Sequence, residues 1–265
     1  MMYTSMYTTM HIHEIAQHIL STSGQTITVF AYALLGGFVP ALFWLWFWLH
    51  ERQSHNEPRR VILKVFLLGM IAVFISYIIQ RLIGRFFADT GSYGIFQIER
   101  QTQHPILTLI YVVIEEILKF GSAYVIAFKT KIFDEPIDAF VYLMTAALGF
   151  AAMENTLYLI QPLLQGQTIE IIVTGYMRFI GSSVLHVTSS GALSVCIGLS
   201  FCKSFWVRET WIWIGLSIAC FIHWAFNVFL TIQDGSSAYL VFSSVWMVAI
   251  ALILMLEKVK QNKCF

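Results

Sequence analysis

Seven apolar runs, at roughly 26–49, 61–83, 105–127, 137–160, 170–200, 211–232 and 237–257, dominate this sequence. Each is long enough, or nearly so, to cross about 30 Å of hydrocarbon as a helix, which takes about 20 residues. A backbone inside hydrocarbon has to satisfy its own hydrogen bonds, and a continuous apolar run does so by becoming helical. The chain is therefore predicted to be an all-α, polytopic transmembrane helical bundle of about seven helices. Composition agrees. Of 265 residues, 58% are hydrophobic and 12% charged, against about 25% charged in a soluble domain. That argues against a soluble globule, a disordered regulator and a nucleic-acid binder. Sixteen Lys+Arg balance fifteen Asp+Glu, so no bulk charge selects an acidic partner.

The links between runs are short and polar, such as 129–136 and 161–167, and none could hold a second folded domain. Only 84–104 could form a small re-entrant or interfacial loop. The predicted organisation is a polar N-terminal arm (1–25), one transmembrane domain (26–257) with its chemistry in 105–232, and a basic tail (258–265). The arm lacks the basic start and small-residue cleavage site of a removable signal peptide, and its His11, His13 and His18 read as solvated. The fifth run is too long for an upright span and is expected to tilt or project. Cys196, Cys202, Cys220 and Cys264 show no metal spacing and read as reduced filler.

Cytoplasmic loops collect Lys and Arg. Arg52, Arg59, Arg60, Lys64, Lys129, Lys131, Lys203, Arg208, Lys258, Lys260 and Lys263 fall on one side of the drawn topology, and Arg81, Arg85 and Arg100 on the other. The N-terminus is therefore predicted outside and the C-terminus in the cytoplasm, in a multi-pass protein of the cell membrane with the lipid bilayer as its surroundings. Six tryptophans (Trp44, Trp46, Trp48, Trp206, Trp211, Trp213) fall at the inner ends of runs, where an aromatic belt is expected.

Five charged residues do not fall in loops: Glu115, Glu116, Lys119, Glu154 and Arg178. His186, His223 and Asn227 are also deep. An ionised group at mid-bilayer costs about 2.5–3.5 kcal/mol on insertion scales, so these groups are expected to converge on one another or on a wet cavity. Depth agrees: counted at about 1.5 Å per residue, most lie in one layer from the midplane into the outer half. Lys119 is i+4 to Glu115 and i+3 to Glu116, and Asn227 is i+4 to His223, so each pair shares a face. Taken singly, a membrane Glu–Lys pair is often structural, and a lone His is more often a hydrogen-bonded core residue than a base. Asp138 reads as an interfacial helix start, and Ser182, Ser183, Ser189 and Ser190 as packing residues rather than nucleophiles. Three carboxylates and two histidines on four runs at one depth are harder to explain that way.

These residues also form a recognisable pattern. IEEILKF (114–120), the long segment DEPIDAFVYLMTAALGFAAMEN (134–155), MRFIGSSVLH (177–186) and IHWAFN (222–227) occur in that order. The set resembles the PrsW family of intramembrane proteases, which is related to the CAAX-protease-like proteins. Glu115, Glu116 and Lys119 stand at the EExxK motif, and Phe150, Glu154 and Asn155 close the second motif. Arg178 and His186 follow, then His223 and Asn227 as HxxxN. Where CAAX endopeptidases carry His in FxxxH, this chain has Glu154, so their prenyl-cysteine substrate does not transfer.

The resemblance implies an endopeptidase cutting a single-span membrane protein, by analogy a transmembrane anti-sigma factor. Non-covalent peptide hydrolysis needs a base for water, a polarising group and an acid for the leaving amine. The roles expected are Glu115 or Glu116 as base and Glu154 holding the water or sharing its proton. His223 and Asn227 would form an oxyanion site, and His186 would orient water or donate to the amine. Lys119, Asn155 and Arg178 are expected in support. No HExxH occurs, and a metal-free glutamic mechanism is favoured. The zinc version of the same hydrolysis would use Glu115, Glu154, His186 and His223. A non-catalytic scaffold or sensor and a proton-coupled transporter are the other readings, the last weakened by the absence of an inverted repeat.

Overall fold

The computed structural model describes residues 2–51, 58–86, 105–232 and 238–262, with side chains described from Thr26 onward, and the anticipated 84–104 loop lies almost wholly outside these. Helices follow in order: α1 (Met2–Glu51), α2 (Arg59–Phe86), α3 (Pro105–Ala123), α4 (Asp138–Leu164), α5 (Thr168–Met177), α6 (Ser183–Ser200), α7 (Phe205–Ile232) and α8 (Ala238–Lys260). A π turn, Tyr124–Phe128, extends α3, and a second, Arg178–Ser182, joins α5 to α6. No strand occurs among the described residues. The chain is a polytopic helical membrane protein: six helical stretches are long and apolar enough to cross a bilayer, α5 to α6 counting as one 33-residue rod. The seventh anticipated span is α3, only 19 residues long and carrying the three charges Glu115, Glu116 and Lys119.

Boundaries shift where polar residues can stay helical. The seventh helix starts at Phe205, not 211, because exposed Trp206 and half-buried Arg208 belong to a helical first turn. α4 runs past 160 to Leu164 and stops at Gly166, whose φ is +64°. There the Gly166 N–H donates to Leu163 O (3.2 Å) and Gln167 N–H to Pro162 O (3.0 Å). This paired closure needs a left-handed residue that glycine supplies without strain.

α4 and α6 are the central rods, hydrophobic all round and rich in Ala, Gly and Ser, as buried membrane helices are. α4 packs against α1, α2, α3 and α6, and α6 against α7 and α8. Small residues set how close they come. A Cβ on Gly149 would stand 2.1 Å from Phe66 O, and one on Gly69 would stand 2.3 Å from Ala146 O, so the α2 and α4 backbones touch. Gly69→Ala and Gly149→Ala are each expected to cost about 1–3 kcal/mol of stability, the usual penalty of overpacking. Thermal unfolding in detergent measures this, and unchanged midpoints would show that the crossing is looser.

Two anticipations change, for the tryptophans and the cysteines, and that for Asp138 gains detail. Trp44 and Trp48 are not belt residues: one turn apart on the packed face of α1, Trp44 donates to Phe179 O (3.3 Å) and Trp48 packs on Phe140 (5.3 Å). Trp46, Trp206, Trp211 and Trp213 remain exposed. Asp138 starts α4 as expected and is fully buried, its Oδ2 accepting the N–H groups of Asp134 and Glu135 in the loop before it at 3.1 and 2.9 Å. Cys196 and Cys220 are free and buried, whereas exposed Cys202, in the turn between α6 and α7, is disulfide-bonded.

Candidate active site

The charges predicted to avoid lipid do so by meeting one another. On α3, Glu116 and Lys119 turn inward, with Lys119 Nζ 2.6 Å from Glu116 Oε1 and both side chains buried. The same oxygen accepts Ser189 Oγ from α6 (3.0 Å) and lies 2.7 Å from His223 Nδ1 on α7. A carboxylate paired with an ammonium only accepts, so His223 Nδ1 carries a proton, and in the neutral ring Nε2 presents a lone pair.

Lys119 has a second partner. Its Nζ donates to His186 Nδ1 at 3.0 Å, which places the His186 proton on Nε2, 3.0 Å from Glu154 Oε2. Glu154 is also ion-paired with Arg178. Arg178 in turn donates to Asn155 Oδ1 and to Ser182 Oγ (3.0 Å), and its guanidinium lies 3.7 Å over the Tyr158 ring. Asn155 Nδ2 donates onward to Ser183 Oγ at 3.1 Å. The π turn starts at Arg178, so an irregular stretch of helix carries this side chain toward α4. Two tryptophans brace that turn: Trp44 donates to Phe179 O and Trp246 to Ile180 O (3.2 Å).

Glu115 is placed differently from its neighbour. Its Oε1 accepts Gln80 Nε2 from α2 at 3.0 Å. Its Oε2 stands 3.7 Å from His223 Nε2, buried and with no hydrogen-bond partner among the described residues. The His186 and His223 rings meet edge to face at 5.1 Å. One ligand-type atom from each of Glu115, His186 and His223 lies within 4.8 Å of the others. Glu154 is outside that trio, turned to Arg178 and His186. Side-chain exposure is 13% for Glu115, 13% for Glu154 and 14% for Arg178, so the cluster opens along those three residues.

Eight of the nine anticipated residues thus join one network across α3, α4, α6, α7 and the π turn. Asn227 is half-buried, one helical turn from His223 on α7. The doubt between the adjacent glutamates resolves into places: Glu116 lies at the buried centre, Glu115 at the accessible edge. The serines stand as supports, and no described hydrogen bond joins one to the His186 ring. Gln80, Ser76 and Tyr158 were not anticipated. Neutral polar groups in apolar runs carry no charge to flag them, although Gln80 is the sole amide of its run.

A membrane bundle that gathers three carboxylates and two imidazoles at an edge-exposed centre has the layout of an intramembrane hydrolase. Residues 57–255 match the family model described as PrsW family intramembrane metalloprotease, and the chain belongs to that family. It is 27% identical over 232 residues to Protease PrsW of Geobacillus kaustophilus, covering 86% of this chain and 90% of the relative. The same-named protein of Bacillus subtilis is 26% identical over 199 residues, with 74% and 81% covered. That of Oceanobacillus iheyensis is 32% identical over 127 residues, with 48% and 54% covered. No solved structure matches. The chain is a multi-pass intramembrane protease of this family.

Proposed function

We propose that the protein hydrolyses a peptide bond of a single-span membrane protein at this cluster, with Glu115, His186 and His223 as ligands for zinc. One observation carries the metal reading over the metal-free one that the sequence favoured. Glu116 holds the proton of His223 on Nδ1, so the Nε2 of the neutral ring faces Glu115 Oε2, which has no hydrogen-bond partner among the described residues, across 3.7 Å of buried space. Two acceptors facing each other at that distance are too far apart to share a hydrogen bond. They suit a cation between them: two ligands about 2.0–2.1 Å from a tetrahedral zinc ion stand roughly 3.3–3.4 Å apart. Two histidines and a glutamate are also a known catalytic zinc set.

Such an ion supplies Lewis acidity, polarising a carbonyl and making water a stronger nucleophile. The rest is done by the chain. Glu116 fixes His223 in tautomer and direction, as outer partners of ligating groups do, and Lys119 fixes the direction of the His186 ring. His186 would offer Nε2 in its other tautomer, with the proton on Nδ1 and Lys119 bonded to Glu116 alone, and Glu154 would then stay ionised and free to handle a proton. Glu154 sits at the opening of the cluster and is the group placed to take a proton from water and return it to the leaving amine. Arg178 holds Glu154 there, and Asn155 holds Arg178. Asn227, one turn from His223 on α7, is the residue we assign to donate to a carbonyl oxygen.

The basic loops support an N-outside, C-cytoplasmic orientation, with the cluster in the outer half of the bilayer. A transmembrane anti-sigma factor cut near its outer side is the substrate class that the family resemblance points to first. The test is purified protein in detergent with a tagged single-span substrate. About one equivalent of zinc, cleavage lost on chelation and cleavage restored by zinc are expected. Full cleavage by zinc-free protein would overturn the metal reading; absence of cleavage of every such substrate would overturn the wider one.

A further inference from the structure

α2 supplies none of the residues of the four sequence motifs, yet its sole amide is turned into the site. Gln80 is 6% exposed and Ser76, one turn earlier, 1%. Gln80 Nε2 donates to Ser76 Oγ at 2.9 Å and across the helix interface to Glu115 Oε1 at 3.0 Å. The Glu115 carboxylate, taken as ionised, only accepts, so the amide nitrogen has to be the atom facing it. With Oε1 tied to α2, Oε2 is the oxygen left facing His223 Nε2. The same kind of outer hold recurs at His223, which is held at Nδ1 by Glu116 as Glu115 is held at Oε1 by Gln80.

We propose that Gln80, braced by Ser76, is a positioning residue that aims Glu115 Oε2 at a metal ion shared with His223 and His186. This rests on the zinc reading given above. The competing role is helix packing alone: an interhelical hydrogen bond in a membrane adds modest stability wherever it lies. The two roles differ in what they move. A packing bond stabilises the protein with or without metal. A bond that orients a ligand is felt in metal affinity, where removing an outer partner typically costs 10–100-fold.

The experiment is a chelator competition on detergent-purified wild type, Gln80→Met and Ser76→Ala, followed as zinc retained, with thermal unfolding of the metal-stripped forms alongside. Methionine keeps the length of the glutamine side chain without its amide. Gln80→Met is expected to release zinc at 10–100-fold lower chelator, with a stripped-form unfolding midpoint like that of wild type. Ser76→Ala, which leaves the amide in place but loosens it, is expected to move the same way by less; it carries the test if Gln80→Met does not fold. Wild type and variants that release zinc together overturn the proposal and leave the zinc reading standing. A variant that loses stripped-form stability but not zinc retention overturns it in favour of packing. Wild type that never holds zinc overturns the zinc reading and this inference with it.

Discussion

Glu115→Gln is expected to leave the bundle folded and to remove cleavage, by on the order of 10²–10⁴-fold, the usual range for a group that handles a proton or an ion at the reacting centre. The asymmetry between structure and activity is the informative part. A glutamine at 115 keeps the side-chain volume, and its carbonyl oxygen can still accept from Gln80 Nε2. Its amide nitrogen replaces one of two buried acceptors that now face each other and turns a donor toward the other, the His223 lone pair. The unfolding midpoint should therefore stay level or rise while fragments of a co-expressed tagged substrate disappear, a trade of activity for stability of the kind active sites show. Cleavage at the wild-type rate would remove Glu115 from the chemistry and return the doubt to Glu116.

The second large effect is on folding. Lys119 is fully buried and makes two bonds, to Glu116 and to His186. Lys119→Met fits the space but strands the Glu116 carboxylate in a low-dielectric interior. Breaking a buried pair from one side typically costs 3–5 kcal/mol, a large share of the stability of most proteins. Sharply lower yield and an early unfolding transition are expected. The double variant Lys119→Met with Glu116→Gln removes both charges and should recover most of the loss, because replacing a whole buried pair is often close to neutral. That recovery separates lost compensation from lost packing. A single variant as stable as wild type would mean that Glu116 is compensated elsewhere.

Much of this was legible from residue order, for a physical reason. Lipid makes charge expensive, so Glu115, Glu116, Lys119, Glu154 and Arg178 stood out once the loops were drawn, and helical spacing put them with His186 and His223. What remained hidden was whatever is neutral or irregular. Gln80 pays little in a hydrophobic run and raises no flag until α2 is seen beside α3. The π turn at Arg178–Ser182 has no clear signature, and counting at 3.6 residues per turn across it misplaces Arg178 relative to His186. Adjacent glutamates differ by about 100° on a helix, and only the packing of α6 and α7 says that Glu116 is the inner one. Trp44 and Trp48 show the same limit: position along a run was readable, side of the helix was not.

The network also has an arithmetic of its own. Glu115, Glu116 and Glu154 bring three negative charges into the bundle, whereas Lys119 and Arg178 bring two positive ones, counting the imidazoles as neutral. The centre is thus one positive charge short of neutrality, in surroundings where an unbalanced charge is costly. One proton would cancel that shortfall, and a divalent cation would turn it into a surplus of one. The deficit lies at Glu115, the carboxylate without a cation of its own. Electroneutrality would therefore favour a cation at the carboxylate proposed above to hold one.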